Sequence, residues 1–184
     1  MRSDLSEAIV LLGPGDGVTG PQAMHLNAND QHLYISSGSF GNKLSQNESV
    51  AFLAYLSEPI TNLQSTQHVV FDKVITNVGN AYNKFSGHFI APVDGVYVFF
   101  VMLSNVAGKS VTVIVLRNGL WIGKVAAYGS ITDKGLLVTS TSAIPVELQY
   151  GDEVWVQNEY TYLAHEEVAG YKQSSFSGHL ITSF

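Results

Sequence analysis

The sequence predicts an all-β fold, a sandwich or jelly roll, and three observations carry that expectation. The composition is 46% apolar and only 13% charged, with 17 glycines, and it is dense in Val, Thr, Ser, Tyr and Phe, which suit a pleated, half-buried surface. From Val50 onward, short apolar-rich runs recur with turn signals between them, as in folds built of many antiparallel strands. No stretch of useful length carries the amphipathic period of a helix.

Nine runs are predicted as strands. VAFLAYL at 50–56 comes first, then HVVFDKVI at 68–75, closed by the NVGN turn. HFIAPV at 88–93 passes through PVDG into GVYVFFVML at 95–103. SVTVIVLRN at 110–118 and LWIGKVAAY at 120–128 meet at RNG, a turn whose glycine, Gly119, suits a positive φ. GLLVTSTSAIPVEL at 135–148 ends in QYGD, DEVWVQNEY at 152–160 follows, and SSFSGHLITSF at 174–184 comes after VAGY. In GVYVFFVML only the Tyr97 hydroxyl is polar, so both faces of that strand are apolar and both need cover. With no helices to supply the second cover, another copy of the chain is expected to supply it.

The chain divides near residue 49. Residues 1–49 read as a turn-rich N-terminal extension, and 50–184 as the globular domain. In GPGDGVTGPQ the glycines at 13, 15, 17 and 20 break the every-third-glycine rule of a collagen triple helix. AMHLNANDQHLYIS suggests two short strands around an Asn-Asp turn, which leaves a hairpin, a trimeric neck or partial disorder open.

Charge and chemistry narrow the function classes. A net charge of −6 with only Arg2 and Arg117 as arginines argues against nucleic-acid or anionic-membrane partners. The absence of cysteine removes disulfides, thiolate metal sites and cysteine nucleophiles. Ala8–Leu12, the longest early apolar run, is too short for a secretory leader and follows Asp4 and Glu7. Neither a signal peptide nor a membrane span is therefore expected in the chain as written, which is compatible with a mature form or a fragment of a secreted protein. HEEVAGY at 165–171 superficially matches the zinc-protease pattern H-E-x-x-H, but Ala169 stands where the second histidine must be. No nucleophile with a base at recognisable spacing is present, and the six histidines are dispersed. The expectation is a binding protein and not an enzyme.

Phe71, Asn77, Tyr82, Phe89, Gly95, Tyr97 and Phe99 stand at the spacing F-x5-N-x4-Y-x6-F-x5-G-x-Y-x-F. That arrangement resembles the signature of the complement-C1q-like globular domain. The resemblance extends to VAF at 50–52 (with Phe52), APVDGVY at 91–97, RNG at 117–119, GDEVWV at 151–156 (with Trp155) and SSFSGHLI at 174–181 (with Phe176 and Gly178). It departs at Val101, where the family often has an aromatic. It implies a ten-stranded jelly roll similar to tumour necrosis factor, assembled as a homotrimer. The strand at 95–103 would then face its own sandwich on one side and the threefold axis on the other. Tyr97, Phe99 and Val101 form one set, and Val96, Val98, Phe100 and Met102 the other; which set faces the axis is left open. Gly95 is expected at a positive φ and Gly178 at a close backbone approach beside Phe176.

What the resemblance implies about function is extracellular recognition, with multivalent, lectin-like binding of carbohydrate or microbial surface polysaccharide in innate immunity first. A trimeric ligand for a protein receptor, hormone-like or synaptic-organiser-like, is the alternative, and a trimerisation head for a fibre the third. A cysteine-free chain without a collagen stalk resembles short invertebrate C1q-domain proteins more than complement components. Several such trimers hold calcium through carboxylates near 128–140, where Asp133 is the only acid here; the other reading is a solvated aspartate beside Lys134. Loops at the ends of a sandwich carry recognition. The candidate ligand residues are Tyr160, Tyr162, His165, Glu166, Glu167 and Tyr171 in one loop, and Tyr128 and Lys134 in another, since rings beside polar groups suit sugars.

Overall fold

A computed structural model describes residues 10–12, 22–27, 32–37 and 40–44 as backbone, and 49–106, 108–129, 136–159 and 166–184 with their side chains. The chain divides into two compact units, Met1–Glu48 and Ser49–Phe184. In the first, β1 (Val10–Leu12), β2 (Gln22–Asn27), β3 (His32–Ser37) and β4 (Phe40–Leu44) form an antiparallel sheet in chain order. β2 and β3 pair from Gln22 opposite Ser37 to Asn27 opposite His32.

The second unit has ten strands: β5 (Ala51–Tyr55), β6 (Lys73–Val78), β7 (Tyr82–Asn83), β8 (His88–Ile90), β9 (Gly95–Ser104), β10 (Ser110–Arg117), β11 (Leu120–Tyr128), β12 (Thr139–Leu148), β13 (Glu153–Asn158) and β14 (Ser175–Ser183). They form two five-stranded sheets, ordered β12-β9-β14-β5-β6 and β11-β10-β13-β8-β7. Every paired neighbour is antiparallel, giving a jelly roll with no helix among the described residues. Two boundaries differ from the sequence reading. The run at 68–75 enters the ladder only at Lys73, because His68 makes just an isolated bridge to Gln157. β7, only two residues long, carries too little apolar pattern to be seen.

Strand alternation builds the core. In β9, Tyr97, Phe99, Val101 and Leu103 are fully buried between the sheets, because successive side chains of a strand point to opposite faces. Phe52 stacks on Tyr82 with centroids 4.8 Å apart and meets Phe176 edge-on at 4.9 Å, while Phe89 meets Phe99 at 5.0 Å. The Asn77 amide brackets the Tyr82 backbone: its Nδ2 donates to Tyr82 O at 2.9 Å, and its Oδ1 accepts from Tyr82 N at 3.1 Å. The Tyr82 hydroxyl donates in turn to Phe71 O at 3.1 Å. Burial outweighs that bond and pushes the phenol pKa up. The spaced aromatics thus form one packed cluster with its polar atoms satisfied.

Two expectations are corrected, those for Gly95 and Trp155. Gly95 does not have a positive φ; it is needed because a Cβ there would collide with Thr182 O, and would meet Leu180 Cδ1 at 2.7 Å. The close approach expected at Gly178 is present, made by the Phe99 and Phe52 rings at 2.7 and 3.0 Å from an added Cβ. Trp155 belongs to neither the core nor the face around Phe100: its neighbours Val154 and Val156 point inward, and its ring lies on the outer side of the other sheet, stacked on His88. Gly119 does adopt a positive φ, 83°, beside Asn118 at 48°, as a tight two-residue hairpin turn requires.

Candidate functional site

The outer face of β12-β9-β14-β5-β6 answers the question left by the doubly apolar strand. Val96, Val98 and Met102 are partly exposed there, and Phe100 is 36% exposed. Cross-strand register arranges the neighbours in rows: Ala143, Phe100, Ser177 and Leu53 in one, and Pro145, Val98, His179 and Ala51 beside it. The Phe100 ring stacks with the His179 imidazole at 6.1 Å. Pro145 is tolerated because β12 is an edge strand. Neither row contains a carboxylate, lysine or arginine. The set that faces outward is therefore Val96, Val98, Phe100 and Met102.

The recognition candidates are placed differently. Tyr160, Tyr162, His165, Asp133 and Lys134 lie outside the described residues. Tyr128, at the end of β11, is 62% exposed, and Tyr171 is 65% exposed; a hydrogen bond and the charge of Glu58 raise the Tyr171 pKa. Glu166 is not presented to a ligand. It is 4% exposed, because Leu63 N donates to Glu166 O, Val168 and Ile60 exchange backbone bonds, and Ala169 N donates to Ser104 O. These bonds tie residues 166–169 inward. Burial raises the Glu166 pKa, and the charge of Glu159 adds to this, against the Asn158 amide and Lys124. Glu167 is ion-paired with Lys109 at 3.3 Å.

Two polar groupings escaped the sequence reading. On the outer face of the second sheet, His88 Nδ1 lies 2.7 Å from Glu153 Oε2 and its Nε2 lies 3.1 Å from His68 Nδ1. The His88 ring stacks on Trp155 at 4.7 Å. Burial, then the neighbouring His88, lowers the His68 pKa. The second grouping is a hollow beside the β7–β8 turn, under Phe85. The first has no local sequence signature, since it joins residues from three separate segments; the second falls within the single stretch of residues 74–85 and carries no motif that marks it as a recess. Among the described residues, no three His, Cys, Asp or Glu side chains are grouped to hold a metal ion, and no helix is long and apolar enough to cross a membrane.

The C1q-domain family model matches residues 51–181. The chain belongs to the C1q-domain family. It is 35% identical over 109 residues to complement C1q tumor necrosis factor-related protein 3 of Mus musculus, covering 59% of this chain and 42% of that protein. It is 32% identical over 91 residues to a complement C1q subcomponent of Rattus norvegicus, covering 50% and 37%. The matched segments thus span about two fifths of those relatives' lengths. Among solved structures, the globular domain of zebrafish complement 1qA protein matches with TM-score 0.59 at 19% identity, covering 73% of this chain and 99% of that one. Eiger TNF from S. frugiperda matches with TM-score 0.60 at 12% identity, covering 75% and 96%. These likenesses show the fold of this C1q domain, the C1q/TNF jelly roll.

Proposed function

We propose that this C1q-domain protein is an extracellular homotrimer that recognises carbohydrate, its three copies meeting through the outer face of β12-β9-β14-β5-β6. The observation that carries the trimer is the charge-free pair of rows around Phe100 and Val98, since a contiguous apolar sheet face of this kind marks an interaction surface. Phe100 is 36% exposed in the protomer, so covering the remainder contributes roughly 0.5–1 kcal/mol per copy. The extracellular setting rests on membership of the C1q-domain family.

Recognition is assigned to exposed rings at the sandwich ends. Tyr128 and Tyr171 supply two, Tyr160, Tyr162, His165 and Lys134 extend the proposed surface, and Asp133 is where calcium would enter. Three weak sites on one trimer would gain avidity on a repeating polysaccharide. A receptor-binding role is the second reading, favoured by the similarity to a tumor necrosis factor-related protein. Two measurements test the proposal. Sedimentation at micromolar concentration should give a trimer, and a screen of glycans and microbial polysaccharides, with and without calcium, should give binders. A folded monomer overturns the assembly. A trimer that ignores every saccharide overturns lectin-like recognition and leaves the receptor reading.

A further inference from the structure

Beside the β7–β8 turn the surface opens into a hollow of about 430 Å³, a size that suits a small ligand. Its walls come from β6 through Val74 and Asn77, from Asn80 in the turn that follows, and from Asn83 and Lys84 after Tyr82. Phe85 stands at its edge. At 84% exposure it is the most exposed large hydrophobic side chain among the described residues, although a surface turn needs no phenylalanine for its own stability.

The polar atoms divide into those that build the hollow and those left over. The Asn77 amide is committed to the Tyr82 backbone through both its Nδ2 and its Oδ1. Asn83 Oδ1 accepts from Phe85 N at 2.9 Å and Ser86 N at 3.4 Å, and Gly87 N donates to Asn83 O at 2.8 Å. These bonds fix the turn and leave the Asn83 Nδ2 hydrogens for another partner. The Lys84 ammonium makes no ion pair among the described residues and sits 5.1 Å from the Phe85 ring centroid. No acid lines the hollow, although the chain carries a net charge of −6.

We infer that this hollow binds an acidic sugar. The C–H face of a pyranose would lie on the part of the Phe85 ring that the Lys84 ammonium, seated over it, leaves open, as sugars lie on aromatic rings. Its hydroxyls would meet the Asn80 and Asn83 amides, and its carboxylate would pair with Lys84. An acidic peptide would use the same cation and pair its backbone with the amides, but an exposed flat ring matches the C–H face of a pyranose better. The inference rests on the carbohydrate reading proposed above and adds to it a second site, apart from Tyr128 and Tyr171, with its own sugar class.

The test compares methyl β-glucuronoside with methyl β-glucoside, which share a ring and differ in the carboxylate, by calorimetric titration of the whole chain. The glucuronoside should bind about 1.4- to 5-fold more tightly, the range of an exposed ion pair, and the advantage should shrink in high salt. Lys84→Gln should abolish the preference and leave glucoside binding in place, while Phe85→Ala should weaken both ligands. A pectin chain, as a repeating galacturonate, should bind the trimer more tightly than the single sugar. Equal affinity for the two glycosides, or a preference retained by Lys84→Gln, overturns the inference while the carbohydrate reading stands. Binding of a poly-glutamate peptide in preference to the glucuronoside overturns the sugar assignment. A lower mass for Phe85→Ala would place the ring in a contact between copies and also overturn it. Failure of every saccharide here and in the wider screen removes the carbohydrate reading itself.

Discussion

Glu166 shows how one side chain can report on its surroundings. Asn158 spends its Nδ2 on the carbonyls of Leu63, at 3.1 Å, and Gln64, at 2.9 Å, so Asn158 Oδ1 and Glu166 Oε2 are both buried acceptors without a donor. A proton kept by Glu166 supplies a donor where none exists, in keeping with the upward pKa shift that burial causes. The sign follows from linkage. Below the unfolded carboxyl pKa, about 4.3, native and unfolded chains are both protonated and nothing is lost. As pH rises through the raised native value, the unfolded chain releases its proton first and stability falls. Glu166→Gln keeps the shape and the donor, so its melting temperature should exceed wild type at neutral pH, and the gain should vanish in acid below that range. Melting curves across the pH range check this, and a variant less stable than wild type at neutral pH would mean that the ionised form is the one stabilised. The sequence could not show it: Glu166 sits among polar loop residues, and the backbone bonds to Ile60 and Leu63 that bury it leave no periodic trace.

Strands were legible where both partners were long. β9, β11 and β14 lie within a residue of the runs GVYVFFVML, LWIGKVAAY and SSFSGHLITSF, because alternation over nine or ten residues is hard to disguise. The short pairs were not: β7 meets β8 through two residue pairs, and Lys73 starts β6 five residues later than the apolar run does. Of the candidate site, the exposed tyrosines could be anticipated; the hollow under Phe85 could not, since its residues, though all within the stretch 74–85, carry no periodicity or motif that marks a recess. Two glycines separate the causes that act within an element. At Gly178 a Cβ would press on the buried Phe99 and Phe52 rings, so Gly178→Ala should cost roughly 1–3 kcal/mol through overpacking. At Gly119 nothing lies within 4 Å, and Gly119→Ala should cost about 1–2 kcal/mol through its left-handed backbone alone. Urea unfolding at fixed chain concentration gives both values. Restoration by Phe99→Leu should occur for Gly178→Ala only; restoration of both, or of neither, would refute the packing explanation.

For the whole molecule, the doubly apolar strand yields a sharper expectation than its sequence allowed. Phe100 faces outward, so Phe100→Asp leaves the sandwich core intact and places three carboxylates near one axis. An unpaired charge buried there costs several kcal/mol. At neutral pH the variant should sediment as a monomer with a near-ultraviolet circular dichroism spectrum close to wild type. Trimer should return as pH falls toward about 3.9, where aspartate takes up its proton. Loss of the spectrum together with the trimer would mean that the protomer does not fold alone. A trimer with wild-type melting would show that the face is covered by something other than a second copy.

β14 lies between β9 and β5 in its sheet, with pairs to Tyr97, Phe99 and Val101 on one side and to Phe52 and Ala54 on the other. The strand that joins the early and late parts of that sheet is therefore the last of the domain to be synthesised. Until Ser175–Ser183 clears the ribosome, β5 and β9 have no neighbour to bridge them, and the edges it would cover stay unpaired. The sheet must close after translation of the domain is complete, through contacts of large sequence separation that form slowly. During synthesis the facing edges of β5 and β9 stay open to wrong pairing until that last strand arrives.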